Sequence, residues 1–156
     1  MRRQHATRTR AVLNYPEHWF TPEDLLTFIE LRPFTRSWEQ LRLSDSDLQA
    51  LQVMIMTWPK SGDVIKGAGG LRKLRFSPAK WPSGKSGGLR VCYSYFEEVA
   101  TIVFALVYAK NKKDDLDEDE KAAIRIAIER VGQSLMSRSY RCNQQGETRP
   151  NGYEKG

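Results

Sequence analysis

Along Leu71–Phe76 the chain alternates, with Leu71, Lys73 and Arg75 on one side and Arg72, Leu74 and Phe76 on the other. That is the two-residue period of a strand. Leu89–Phe96 is rich in β-forming residues and sets Val91, Tyr93 and Tyr95 against Arg90, Cys92 and Ser94. Thr101–Ala109 is apolar on both sides, the mark of a central strand. Only a short stretch at Glu97-Glu98 separates the last two strands, which suits an antiparallel hairpin.

Elsewhere the period lengthens to that of a helix. Leu48, Leu51, Ile55 and Trp58 form one apolar stripe, opened by Ser44 as N-cap with Asp47 three residues on, and closed by Pro59. Trp38 and Leu41 have helical spacing within Thr35–Leu43. A last helix is expected from about Asp117, with acids in its first turn and a buried stripe of Ile124, Ala127, Ile128, Val131 and Leu135. Thr21-Pro22-Glu23-Asp24 reads as a helix start while Thr27–Leu31 reads as a strand, with Pro33 stopping either element. Gly62–Gly70 is a glycine-rich connector. After Ser137 the chain is polar and is expected to be unstructured. The sum is an α+β fold: N-terminal helices, a three- or four-stranded antiparallel sheet, and one closing C-terminal helix.

Composition narrows the class. A chain of 156 residues with 40% hydrophobic content suits one domain with a proper core. No apolar run approaches the roughly 20 residues of a membrane helix, and the basic N-terminal arm of Arg2, Arg3, Arg8 and Arg10 is not followed by a signal-peptide core. Cys92 and Cys142 sit in unlike settings and suggest no disulfide, so a cytoplasmic protein is expected. The net charge of +6 favours a polyanionic partner, nucleic acid being the commonest.

Ala79–Ser86, AKWPSGKS, fits the spacing of a phosphate-binding loop if Ala replaces the first glycine. Such a loop works by delivering phosphates to a helix N-terminus. Here Gly87-Gly88 and a β-rich stretch come next, so no nucleoside triphosphate is expected. The segment reads as a long loop between antiparallel strands, with Lys80, Trp81 and Lys85 as candidates for touching a nucleic acid.

The catalytic inventory lacks a core histidine, since His5 and His18 both lie near the N-terminus. No Cys/His cluster has zinc spacing, and the acids of Asp114–Glu120 are explained by a helix start, so neither a metal nor another cofactor is expected. Cations remain. Lys73 and Arg75 share one strand face, Arg90 is on the next strand, and Lys110, Lys112 and Lys113 come after the central strand, with Tyr108 two before Lys110. If the strands pair in order, these converge on one polyanion site; Arg72 adds charge nearby. Solvated sheet-edge cations are the alternative.

The stretches GDVIKGAGGLRKLRF, GKSGGLRVCYSYF and IVFALVYAKNKKDDLDEDEKAAI resemble the RelE/ParE superfamily of toxin–antitoxin toxins, closest to its HigB-like branch. FIELRPF resembles the first strand of that family, which favours a strand over a helix there. The resemblance covers residues 27–136, leaving 1–26 as an N-terminal extension and 137–156 as a polar tail. It implies a small sheet flanked by helices and a ribosome-dependent, metal-independent mRNA endonuclease neutralised by an antitoxin. RNA supplies its own nucleophile in the 2′-OH, so a site without histidine is chemically sufficient. Among crowded cations a lysine gives up its proton more readily and can act as base. By position Lys73 and Arg75 match the family's basic pair, Arg90 its phosphate-stabilising arginine, and Lys110 the proton donor. RelE has two lysines in that pair; here the second is Arg75, which leaves Lys73 as the base. The resemblance also admits a ParE-like gyrase inhibitor, and the cations alone admit a non-catalytic nucleic-acid-binding module.

Overall fold

The computed structural model describes residues 20, 22–81, 88–113 and 115–146. Five strands, β1 (Thr27–Glu30), β2 (Asp63–Val64), β3 (Arg72–Phe76), β4 (Leu89–Phe96) and β5 (Thr101–Ala109), form one sheet in the order β1-β5-β4-β3-β2. Helices α1 (Arg32–Gln40) and α2 (Asp45–Thr57) precede β2, and α3 (Glu118–Gly146) comes after β5. The class is α+β, as the periodicity predicts. From β2 to β5 every neighbour is antiparallel. β1 extends the sheet on the far side of β5 and runs parallel to it, so the sheet is mixed. A parallel neighbour needs a long crossover, which the helices and the β2–β4 segment supply.

Strand alternation sorts the core into two layers. Leu74, Phe76, Leu89, Val91, Tyr93, Ile102, Phe104 and Val107 face α1 and α2, meeting Phe34, Trp38, Leu51 and Ile55. Leu71, Cys92, Val103, Ala105 and Tyr108 face the opposite way, meeting Leu116 and Ile128 of the α3 segment. β5 is buried along nearly its whole length because both layers close on it. A bulge between Cys92 and Tyr93 adjusts the β4–β5 register, adding local twist.

Local chemistry explains most boundaries. Ser44 and Asp47 form a reciprocal capping box, with Ser44 N–H donating to Asp47 Oδ2 at 2.8 Å and Asp47 N–H to Ser44 Oγ at 3.2 Å. The β4–β5 turn is a single 3-10 turn, Glu97–Val99, closed by Ala100 in the left-handed region.

Several expectations are corrected. Pro33 does not stop an element; it sits in the first turn of α1, where a missing N–H costs nothing. The Thr21-Pro22 start produces only a 3-10 turn, Pro22–Asp24, before β1. Trp58 does not bury with its stripe, because the chain leaves α2 there and the residue is 71% exposed. The glycine-rich connector contains β2, which hairpins onto β3. Helix α3 continues to Gly146, into the segment expected to be unstructured, since nothing between Ser137 and Gln145 breaks a helix.

The loop after α2 is pinned from below. The fully buried Tyr93 hydroxyl donates to Pro59 O at 2.8 Å and accepts from Gly62 N–H at 3.0 Å. A Cβ on Gly62 would lie 2.9 Å from the Tyr93 ring, so glycine permits the approach. Arg72 Nη1 donates to Lys60 O and Gly62 O at 3.0 and 2.8 Å. Tyr93→Phe leaves two backbone groups without this partner. It is expected to lower unfolding free energy by about 1–3 kcal/mol in urea titration.

Candidate phosphate-binding site

The register of β3, β4 and β5 builds two rungs of side chains on the face that α3 partly covers. Arg75 is paired with Arg90, and Arg90 with Tyr108. One rung along, Lys73 is paired with Cys92, and Cys92 with Leu106. Two arginines directly opposite each other repel. Among the described residues neither guanidinium forms a salt bridge with a carboxylate, and Arg90 makes only a long contact, 3.4 Å, to Leu89 O. A like-charged pair left uncompensated on an accessible face is a local conflict that an incoming anion relieves.

The lysines are arranged differently. Lys73 Nζ lies 3.3 Å from Asp115 Oδ1, and Lys113 is paired with Glu120. Asp115 Oδ1 also accepts the Leu116 N–H at 2.9 Å. That backbone hydrogen bond, and then Lys73, hold the Asp115 carboxyl below its ordinary value. Glu120 does two jobs. Its Oε2 accepts Asp117 N–H at 3.0 Å while Glu120 N–H donates to Asp117 Oδ1 at 2.8 Å, a capping box that starts α3.

Beneath these pairs lie two groups that burial keeps neutral. Burial pushes the Cys92 thiol up to about 12, so no appreciable thiolate exists at physiological pH. One thiol, the exposed Cys142, is therefore expected to react with a maleimide in the native protein, and two after denaturation; mass spectrometry of the labelled chain counts them. The Tyr108 phenol is likewise raised by burial. Tyr108 is 8% exposed, and among the described residues its hydroxyl has no hydrogen-bond partner.

The remaining candidates scatter. Lys110 is the first residue beyond β5, its N–H directed at Gly88 O, which places it beside the start of β4. Lys112 is exposed in the same turn and Lys80 in the turn after β3. Arg72 is on the other face and committed to backbone carbonyls. Trp81 is half-buried against the α1/α2 core layer, and Tyr108 is 8% exposed. Lys85, His5 and His18 lie outside the described residues. Past the phosphate-loop match the chain enters β4, a strand antiparallel to β3. Sequence reasoning passes over Asp115 and Glu120 as site residues. A helix start accounts for their charge, and no sequence signal links Asp115 to Lys73, 42 residues away.

At the other end of β4, Trp58, Pro59, Lys60, Ser61, Tyr95 and Glu97 line an open cleft of about 460 Å³. Lys60 and Glu97 pair across it at 2.8 Å. Among the described residues, no group of three or more His, Cys, Asp or Glu side chains is placed to hold a metal ion. No described helix is long and apolar enough to cross a membrane.

No protein-family model matches the chain. Among solved structures it is similar to the E. coli toxin RelE, in a free-state form with two arginines replaced by alanine, at 13% identity and a TM-score of 0.42. The match covers 65% of this chain and 95% of that one.

Proposed function

We propose that this chain is the toxin of a toxin–antitoxin pair, a HigB-like member of the RelE/ParE superfamily that cleaves mRNA on the ribosome without a metal cofactor. Residues 27–136 are its toxin domain, and its partners are a cognate antitoxin, mRNA and the ribosome in the cytoplasm. The observation that supports this reading is the Arg75–Arg90 rung, which no carboxylate pairs with among the described residues, with Lys73 one rung along and Lys110 beside the start of β4. These are the residues to which the sequence resemblance assigns catalysis.

In the reaction, Arg75 and Arg90 hold the non-bridging oxygens of one phosphodiester and stabilise the charge of the phosphorane. The 2′-OH attacks the phosphorus, its proton passing to Lys73 as base. The P–O5′ bond breaks and Lys110 protonates the leaving oxygen. The products are a 2′,3′-cyclic phosphate and a 5′-OH. Lys73 must leave Asp115 and shed a proton before it can serve as base. That pairing favours a second reading, in which the cations are phosphate anchors of a non-catalytic nucleic-acid-binding module.

Mapping mRNA 5′ ends in a translating extract separates these. The expected result is new 5′-OH ends within ribosome-covered codons, absent with Lys73→Ala or Arg90→Ala. Binding of RNA with no new ends overturns the nuclease and leaves the module. Intact mRNA with inhibited DNA supercoiling instead indicates a gyrase poison of the ParE type.

A further inference from the structure

The segment Asp115–Glu120 places a carboxylate against each of two lysines: Asp115 on Lys73 and Glu120 on Lys113. Both carboxylates are fixed in place by the backbone. Asp115 is held by the Leu116 N–H, and Leu116 itself is buried in the layer with Cys92 and Tyr108. Glu120 is held by the capping box with Asp117. The arginine rung beside them receives no such partner among the described residues. Next to Arg90 on that rung, the Tyr108 hydroxyl is buried and has no hydrogen-bond partner among the described residues.

We infer that Asp115 and Glu120 stand in for RNA phosphates, occupying Lys73 and Lys113 in the free protein and giving them up when single-stranded RNA binds. This rests on the reading of the face as an RNA site and adds its regulation. The arginine rung, without a carboxylate partner among the described residues, captures a first phosphate. Neighbouring phosphates then exchange with the two carboxylates. The exchange is feasible because each pair is only partly buried, and such ion pairs are weak. Turning Asp115 away from Lys73 also gives up its bond from the Leu116 N–H, because one oxygen accepts both. Without substrate, Lys73 is occupied by its partner carboxylate and is idle as a base.

The test is the affinity of the full chain for a short 2′-O-methylated single-stranded RNA, which lacks the nucleophile and cannot be cut. Asp115→Asn and Glu120→Gln each remove one carboxylate charge, and glutamine preserves the cap of α3. Each is expected to bind about twofold to fivefold tighter than wild type, and the double variant about tenfold. Glu129→Gln, an exposed acid elsewhere on α3, controls for the change in net charge. The slope of log affinity against log salt should stay at its wild-type value, since the same phosphates are contacted in the end.

A thermodynamic cycle isolates the exchange. Lys73→Ala should cost more affinity in the Asp115→Asn background than in wild type, where part of the lysine's attraction is spent on Asp115. Gains no larger than the Glu129→Gln control, or weaker binding in Asp115→Asn, overturn the inference; weaker binding means that the carboxylates merely position the lysines. If Arg90→Ala and Lys73→Ala both leave RNA affinity unchanged, the RNA site itself is refuted, and the exchange with it. Urea midpoints of each variant establish that the compared proteins are folded.

Discussion

Arg90→Ala is expected to lower mRNA cleavage per ribosome about 10²–10³-fold, the usual effect of removing one group that stabilises developing charge. Arg90 is the residue to remove because it is central in its rung, paired with Arg75 on one side and Tyr108 on the other. On the proposed mechanism, its loss leaves Arg75 alone to hold the phosphate. Arg90→Lys keeps the charge without the two-pronged donor geometry and should recover only part of the rate. Stability moves the other way. Opposed like charges on neighbouring strands repel, so the alanine variant should unfold at an equal or slightly higher urea concentration than wild type. Activity lost with stability retained assigns Arg90 to substrate; both lost together assigns it to the fold.

Phe104→Ala is expected to cost about 3–5 kcal/mol of unfolding free energy. Phe104 is fully buried on β5 and stacked between two rings, with centroids 5.6 Å from Phe28 and 4.7 Å from Phe34. Truncation therefore opens one cavity that touches β1, α1 and the centre of the sheet. Set against a typical total of roughly 5–15 kcal/mol, the loss threatens the fold at physiological temperature. It also removes support from the strand that carries Tyr108 and delivers Lys110. The measurement is chemical denaturation followed by Trp fluorescence. A change below about 1 kcal/mol would mean that the ring stack is not the centre of the core.

Much of the fold was legible because its signals are local. The alternation of Leu71–Phe76, the apolar run of Thr101–Ala109 and the Ser44/Asp47 cap each need only a few neighbouring residues to be interpreted, and each appears as expected. The misses have the opposite character. Pro33 is compatible with ending one element or beginning the next, and only the helix after it decides. Trp58 has the spacing of a core residue, but the chain turns away before it can be buried. The polar residues after Ser137 carry no strong apolar stripe, yet continuation of an established helix adds a hydrogen bond per residue without a new nucleus.

For the site, sequence by itself determined which residues carry charge, which strand face each occupies, and that both histidines lie near the N-terminus. Face comes from the period of two, so Lys73 and Arg75 belonged on one side of their strand as soon as it was recognised, while Arg90 joined them only if the strands paired in order. Tertiary structure alone decided who meets whom. Antiparallel pairing set Arg75 against Arg90 and Arg90 against Tyr108, and the packing of Leu116 brought Asp115 to Lys73. Charge and period are properties of a residue and its neighbours. Register and ion pairing depend on how distant segments bury their apolar sides, so the contrast between the Arg75–Arg90 rung, without a carboxylate among the described residues, and the paired Lys73 and Lys113 emerged only in the folded chain.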